Sequence, residues 1–485
     1  MEDLDKTRIK VSKNTPETIK EELGQYLTPC SIADFMASLF SEEKLSNCDI
    51  LDPGAGMGIL TKALSSRVLE NNNSIKSITA VELDNGILPF LKDVLNGLNC
   101  ENCETLNADF LETALNWIQF DFEKSFSHII MNPPYKKIGS NSAQRNLLHQ
   151  AGIETVNLYS GFVALGIMLL KEHGELVAII PRSFCNGPYY RPFRNIILNK
   201  TQITQIHLFG SRKNNFSDDN VLQENVIIKL IKESPSKHEV KISFSTDGTF
   251  EDYYEYSCLS DEIVENDDKE LFIRIPEHTR YNSISQNSNV NSTLQSLNLS
   301  VSTGPVVDFR VKPYLSQMPQ EDTVPLIYPF HLEMTKCIWP QEHSRKANSI
   351  RSNEETLKLL FPSGYYCAVK RFSSKEERHR ISACVISPDD FHSPEFLGFE
   401  NHLNIFHNEK QGLDKDVAFG LMVFLNSAMV DRYFRTFNGH TQVNATDLKQ
   451  MLYPSLEQIK SFGVWAQEQE CLSIEAIDEY LEKTL

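Results

Sequence analysis

The sequence predicts an α/β domain built on a mostly parallel sheet with helices on both faces, followed by a domain of mixed α+β structure. Three observations carry this. Short apolar runs alternate with helix-period segments through the first half of the chain. The alternation stops after Ile231. A length of 485 residues exceeds what one ordinary core holds, so two domains are the starting expectation.

The elements follow in order. Cys48 to Leu51 reads as a strand, Ile59 to Leu69 as a helix and Ser77 to Val81 as a strand. Asn85 to Leu95 looks helical, and His128 to Met131 is a short strand. Leu158 to Lys171 has a strong helical period that Gly174 ends. Leu176 to Ile180 is an apolar strand stopped by Pro181, and Ile203 to Leu208 and Val226 to Ile231 are further strands. Lys232 to Glu239 is polar, contains Pro235 and reads as a linker. Acidic, loop-rich sequence follows, including Asp261 to Glu270, and Ser283 to Ser300 is a Ser/Asn-rich surface loop or partly disordered stretch. From Val301 onward strands and helices mix without clear alternation.

Composition narrows the class. Hydrophobic residues make up 41% and charged residues 23%, ordinary for a soluble globular protein. No stretch approaches the roughly 18 apolar residues of a membrane helix, and Met1 to Lys20 lacks the apolar core of a signal peptide. The expected location is the cytoplasm, with no membrane partner. The ten cysteines are scattered; Cys100 and Cys103 form a lone C-x-x-C, so free thiols and no metal are expected. A net charge of −18 argues mildly against nucleic acid, but phosphate binding depends on local patches. Two such patches exist. Arg182, Arg191, Arg194, Lys200, Arg212 and Lys213 fall in a stretch without acids, and Lys370, Arg371, Lys375, Arg378 and Arg380 form a second group. Each reads equally well as a solvated face.

Asp52-Pro53-Gly54-Ala55-Gly56-Met57-Gly58 lies between a strand and a helix, where glycines let the backbone turn tightly and approach a ligand. The spacing is G-x-G-x-G and no P-loop Lys follows, so a ligand without phosphates, such as S-adenosylmethionine, fits better than a dinucleotide. Glu82 ends the second strand, where an acid can accept both hydroxyls of a ribose. Asp109, near the end of a third strand, is placed to accept from an adenine amino group.

Asn132-Pro133-Pro134-Tyr135 follows the strand His128 to Met131. An exocyclic amino nitrogen is a poor nucleophile because its lone pair is delocalised into the ring. Two acceptors on its hydrogens, the Asn132 side chain and the Pro133 carbonyl, favour a tetrahedral nitrogen whose lone pair points at an electrophile. Such bonds accelerate a reaction to the extent that they strengthen in the transition state. The prolines aim the carbonyl in advance, and Tyr135 offers a ring for a base to stack on.

These residues resemble the gamma-class adenine-N6 DNA methyltransferases, the TaqI-like modification enzymes. Gly24-Gln25-Tyr26-Leu27-Thr28-Pro29 looks like that class's N-terminal cofactor motif, ahead of the glycine turn, and Leu158-Tyr159-Ser160-Gly161-Phe162 like its next motif. The resemblance implies a Rossmann-like methyltransferase sheet over residues 1–238 and S-adenosylmethionine as cofactor. It implies cofactor contacts at Thr28, Asp52, Gly54, Ala55, Gly56, Glu82, Asp109 and Pro134, with the target adenine held by Asn132, Pro133 and Tyr135. A second aromatic residue sandwiches the flipped base in this class, and Phe216 is the candidate, the alternative being a loop or core Phe.

The second half resembles the modification methyltransferases of the PstI and BsuBI type, through Val306-Val307-Asp308-Phe309-Arg310, the stretch Lys370 to Arg378 and the stretch Asn438 to Leu448. It implies a target-recognition domain over 239–485 and methylation of the adenine of CTGCAG. Arg371, Lys375 and Arg378 suit phosphate or guanine contacts, and Gln442 and Asn444 suit adenine edges. Equally, the stretch Asn438 to Asn444 is a polar turn capping a helix that begins near Ala445. The expected partners are double-stranded DNA and a separate cognate restriction endonuclease. The expected state is a monomer, since half-methylated DNA needs one methyl transfer. Two other readings stay open: an N-methyltransferase acting on RNA or protein glutamine, and a catalytically silent DNA-specificity subunit.

Overall fold

The computed structural model describes residues 2–18, 20, 24, 26–71, 73–98, 100, 102–121, 123–210, 224–265, 268–276, 287–342, 345–373, 377–392, 394–439 and 441–485. Phe216 and Lys375, and with them Arg212 and Lys213, lie outside the described residues. The chain forms two compact units, Met1–Thr279 and Arg280–Leu485.

The first unit is an α/β fold on a nine-stranded sheet in the order β3-β2-β1-β4-β5-β7-β6-β8-β9. The strands are β1 (Cys48–Pro53), β2 (Ile75–Glu82), β3 (Cys103–Asn107), β4 (Phe126–Met131), β5 (Leu170–Pro181), β6 (Gln202–Phe209), β7 (Asn225–Ile231), β8 (Glu239–Ser245) and β9 (Tyr254–Leu259). β3, β2, β1, β4 and β5 pair in parallel, and β7 runs antiparallel between β5 and β6. The helices are α1 (Glu2–Asn14), α2 (Cys30–Ser38), α3 (Ile59–Glu70), α4 (Leu88–Asn96), α5 (Phe110–Phe120), α6 (Ala143–Gln150), α7 (Leu158–Leu169) and α8 (Arg191–Lys200).

Two apolar layers hold the sheet. Successive side chains of a strand point to opposite faces, so Ile129, Met131, Leu176, Ala178 and Ile180 pack into one layer, and Ile130, Val177 and Ile179 into the other. A strand covered on both faces reads as a continuous apolar run rather than an alternating one. Each such side chain contributes roughly 1.5–3 kcal/mol. Helix α7 is apolar on all sides and buried from Tyr159 through Ile167. It ends at Leu169 and passes straight into β5, so Gly174, the expected helix terminator, sits inside a strand.

The expected boundary at 238/239 moves to 279/280. β8 pairs in parallel with β6 over Gln205–Lys241 to Phe209–Ser245, and β9 pairs with β8. The expected linker is tied back to β6 by Gln202 Nε2 on the Ser234 carbonyl (2.8 Å) and by a His238 Nε2 contact with the Ile203 carbonyl (2.9 Å).

The second unit is mixed α+β. One sheet has four strands, β11 (Ser300–Thr303), β19 (Leu403–His407), β16 (Tyr366–Lys370) and β17 (Ala383–Ile386). A second has five, β12 (Leu315–Ser316), β14 (Ser349–Arg351), β13 (Thr323–Ile327), β18 (Phe396–Phe399) and β15 (Leu360–Pro362). Within the Ser/Asn-rich stretch, β10 (Val290–Ser292) pairs with β20 (Tyr453–Pro454). Helices α9 (Lys415–Leu425), α10 (Ala428–Phe437), α11 (Ala445–Gln450), α12 (Leu456–Gln467) and α13 (Ile474–Thr484) complete it. Among the described residues no single helix is long and apolar enough to cross a membrane.

Candidate active site

The parallel strands deliver their carboxyl ends to one edge of the sheet, where ligands of such sheets bind. β1 ends at the glycine turn, β2 at Glu82, β3 just before Asp109 and β4 just before Asn132. A cavity of about 170 Å³ opens there, against the roughly 10–15 Å³ that holds one water. Its lining includes Thr28, Gly54, Ala55, Gly56, Glu82, Asp109, Asn132 and Pro134. The sequence pattern therefore brings residues more than a hundred positions apart to one pocket.

The glycine turn takes its shape from positive φ angles, 75° at Gly54, 57° at Gly56 and 80° at Gly58, a region that residues with a Cβ avoid. Gly54 N and Ala55 N donate to the Val81 carbonyl (2.8 and 2.9 Å), and Gly56 N donates to Glu82 Oε2 (2.7 Å). The other Glu82 oxygen accepts from Asp84 N (2.7 Å). Burial raises the Glu82 carboxyl above its ordinary range, and the two N–H donors oppose that shift. Asp109 lines the cavity and also caps α5, its Oδ1 accepting from Leu111 N (2.7 Å).

Asp52 departs from the expected cofactor contact. It is fully buried and does not line the cavity. Its Oδ2 accepts from Thr61 N (3.1 Å) and Thr61 Oγ1 (2.6 Å) at the start of α3. Its Oδ1 is buried without a hydrogen-bond partner. Burial pushes its carboxyl up to about 7. The physical reason is position: Asp52 lies within β1, one residue before the chain leaves the sheet, so it holds the turn from beneath.

Asn132 is locked from its donor side. Its Nδ2 donates to the Tyr26 carbonyl (2.9 Å) and to Thr28 Oγ1 (3.0 Å). A backbone carbonyl only accepts, so the nitrogen must face it and Oδ1 is left as an acceptor. Among the described residues no donor occupies Asn132 Oδ1 or the Pro133 carbonyl. The turn is fastened to the N-terminal segment by Tyr135 N on the Gly24 carbonyl (3.1 Å). Gly24 has φ 63°, and a Cβ there would lie 3.2 Å from Tyr135 N and 3.3 Å from Pro134 Cβ. Tyr135 does not line the cavity; its hydroxyl donates to the Ile179 carbonyl (3.1 Å) and its ring lies 5.9 Å from that of Tyr26. Burial raises the Tyr135 hydroxyl well above its ordinary value, so it stays protonated.

Comparison with known proteins bears on this pocket. The Eco57I restriction-modification methylase family matches residues 62–216. Type II methyltransferase M.BsuBI of Bacillus subtilis is 47% identical over 496 residues, covering 100% of this chain and 98% of that protein. The chain belongs to the type II methyltransferases. M.PstI of Providencia stuartii, also a type II methyltransferase, is 38% identical and covers 95% of this chain and 92% of its own length. The fold also matches a nuclease-deletion mutant of the Type ISP restriction-modification enzyme LlaGI in complex with a DNA substrate mimic, with a TM-score of 0.51 at 11% identity. That match covers 99% of this chain and 57% of the LlaGI chain. As a type II methyltransferase the chain is a DNA methyltransferase of the restriction-modification class and uses S-adenosylmethionine. A cavity without phosphate-binding cations, with the buried acid Glu82 and the apolar side chains of Leu27, Leu60, Phe110 and Phe162, fits a nucleoside with an uncharged sugar edge.

The residues expected to touch DNA fare differently from one another. Arg371 Nη1 donates to the Asn401 carbonyl (3.1 Å), and its Nη2 lies 3.5 Å from Gln442 Oε1. Arg378 is exposed and pairs with Glu475 (2.6 Å). Asn444 heads α11, its N and Nδ2 donating to Asp447 Oδ2 (3.0 and 3.2 Å), so the helix-capping alternative describes it. Two cations of the first basic stretch are internal, while Arg191 and Lys200 are exposed: Arg182 is buried against Glu224 (2.7 Å), and Arg194 donates to the Phe184, Asn186, Gly187 and Glu270 carbonyls. Tyr26 and Phe162, each inside a motif but with no contact assigned to it, and Gln144 line the cavity as well. Tyr26 was within the N-terminal motif; Gln144 carries no sequence signal. Among the described residues no group of three or more His, Cys, Asp or Glu could hold a metal ion.

Proposed function

We propose that this chain transfers a methyl group from S-adenosylmethionine to N6 of an adenine in double-stranded DNA, as the modification half of a type II restriction-modification system. One observation carries this: an Asn132 amide pinned by both of its donors, with Oδ1 and the neighbouring Pro133 carbonyl free to accept. That pair matches an amino group with two hydrogens to give. The bound cofactor supplies an electrophilic methyl on sulfonium. Asn132 and Pro133 hold the amino group so that its lone pair faces that methyl, and Thr28 and Tyr26 keep the amide from rotating. Gly54, Ala55, Gly56, Glu82, Asp109 and Pro134 hold the cofactor, with Asp52 positioning the turn from below.

A base inside a duplex cannot reach such a pocket, so the adenine rotates out at a cost of a few kcal/mol. Stacking on an aromatic ring returns about 1–3 kcal/mol. Tyr135 supplies one ring and Phe216 the other. The methylated nitrogen is acidic, so its proton leaves by the Asn132 and Pro133 oxygens without a strong base. Residues 280–485 then serve as the target-recognition domain, with CTGCAG as the candidate sequence, acting as a monomer beside a separate endonuclease. Transfer of tritiated methyl to DNA, RNA and protein acceptors, followed by sequencing for methylated positions, tests this. Label in duplex DNA at adenines of one motif is expected; label in RNA or protein alone overturns it.

A further inference from the structure

Two of the three stretches of the second unit that the sequence singled out meet at a turn it did not, Glu400-Asn401-His402, and the third pairs with one of them. Asn401 N donates to the Val306 carbonyl (2.9 Å), two residues before Asp308. Arg371 N donates to the His402 carbonyl (2.9 Å), and Arg371 Nη1 to the Asn401 carbonyl (3.1 Å). Residues 371–373 and 441–443 form a two-stranded ribbon: Val443 N donates to the Arg371 carbonyl (2.8 Å), Ser373 N to the Thr441 carbonyl (3.0 Å), and Phe372 stands opposite Gln442. Glu400 is buried and receives His402 N (2.8 Å) and His402 Nδ1 (2.5 Å), so the turn is rigid. On top of it Phe372 is 46% exposed, its ring 5.1 Å from that of His402.

The chemistry of this surface is asymmetric. The Gln442 amide stands beside the Arg371 guanidinium, which attracts its oxygen and repels its nitrogen. The contact at 3.5 Å is long for a hydrogen bond, but the charge fixes which end of the amide turns toward Arg371. The Gln442 Nε2 donors are therefore the end presented. A glutamine that reads adenine needs its oxygen for N6 and its nitrogen for N7. With the oxygen held, the two Gln442 Nε2 hydrogens match a base edge that offers two adjacent acceptors and no donor, which in the major groove is guanine N7 and O6; thymine offers O4 alone, beside its methyl group. A two-stranded ribbon is one of the elements that groove admits.

We propose that the ribbon carrying Arg371, Phe372 and Gln442, set on the Glu400–His402 turn, reads a guanine edge in the major groove of the target duplex, with Gln442 as the donor. This reverses the expectation that Gln442 reads adenine, and it rests on the DNA reading above. The test uses the full chain, with duplexes carrying the methylated motif and each guanine of that motif replaced in turn by 7-deazaguanine, which lacks the N7 acceptor. Wild type and Gln442→Glu are compared. The Glu variant keeps the side-chain shape and an oxygen for Arg371 but has no donors, so it folds.

Wild type is expected to lose about tenfold or more in kcat/KM at one guanine position. Gln442→Glu is slower on the unmodified duplex and loses nothing further at that position, with cofactor affinity unchanged by calorimetry. Losses that add at every guanine, or no loss in wild type at any, overturn the assignment and leave Gln442 a backbone or structural residue. Methyl is counted per duplex whichever base receives it, so a product other than N6-methyladenine defeats the adenine reading and leaves this comparison intact.

Discussion

Asn132 gives the sharpest prediction. Asn132→Ala removes the acceptor Oδ1 and also the two bonds from Nδ2 to Tyr26 O and Thr28 Oγ1. Loss of one preorganised partner of a reacting group costs about 10²–10³ in kcat, or roughly 2.7–4 kcal/mol. The hydrogen bonds to the Tyr26 carbonyl and to Thr28 Oγ1 are lost as well, each worth about 1 kcal/mol net. Two further variants separate these effects. Thr28→Val leaves the Asn132 acceptor in place and removes one anchor, so about 1 kcal/mol, near fivefold in rate, is expected. Asn132→Asp keeps two acceptor oxygens but sets one against the Tyr26 carbonyl, so the side chain turns away and the loss approaches that of alanine. Single-turnover methyl transfer to duplex DNA, with cofactor affinity by calorimetry, reads all three. If Asn132→Ala transfers methyl within threefold of wild type at unchanged cofactor affinity, Asn132 has no part in the chemistry.

Asp52 predicts a pH effect. Its folded carboxyl, pushed up to about 7 by burial from an ordinary 3.8, holds its proton longer than the unfolded chain does. Its contribution is therefore largest at low pH and is lost as pH rises from about 4 through 7, by up to about 4 kcal/mol. Asp52→Asn cannot titrate, so its melting temperature should overtake that of wild type between pH 5 and 8; parallel pH profiles would refute this. Gly24→Ala must hold a Cβ at φ 63° against Pro134 and Tyr135, at a cost of about 1–2 kcal/mol. Melting a few degrees lower, with turnover reduced tenfold, is expected, and a variant indistinguishable from wild type would disconnect the N-terminal segment from the active turn. Glu82→Gln should weaken cofactor binding at least tenfold, since a hydrogen bond to a charged group contributes roughly 1.5–3 kcal/mol; unchanged affinity in calorimetry would remove Glu82 from the cofactor site.

The catalytic half was legible because its chemistry sits where short runs of sequence end. The apolar strands β1, β2 and β4 each finish at or one residue before a residue of unusual type, Gly54, Glu82 and Asn132, and parallel pairing alone gathers those ends. Asp52 was harder to read, because one residue separates a carboxylate facing a pocket from one beneath it. The domain boundary was missed although Val240 and Ile242 alternate with polar neighbours in β8, a pattern masked by the polar, proline-containing segment before it. Arg182 and Arg194 show the limit of charge counting: a cation whose partners are a distant Glu224 and four backbone carbonyls looks like a surface cation in sequence. The Glu400–His402 turn had no signal of its own, since its role comes from strands that meet only in the fold.

Identifying the methylated nucleoside is the most direct test. Duplex DNA methylated by this protein and digested to nucleosides should yield labelled N6-methyladenosine in its deoxy form, about a hundredfold or more less when Asn132→Ala is used. Label appearing instead on cytosine, at N4 or at C5, would contradict the assignment of the Asn132 and Pro133 acceptors to the adenine amino group.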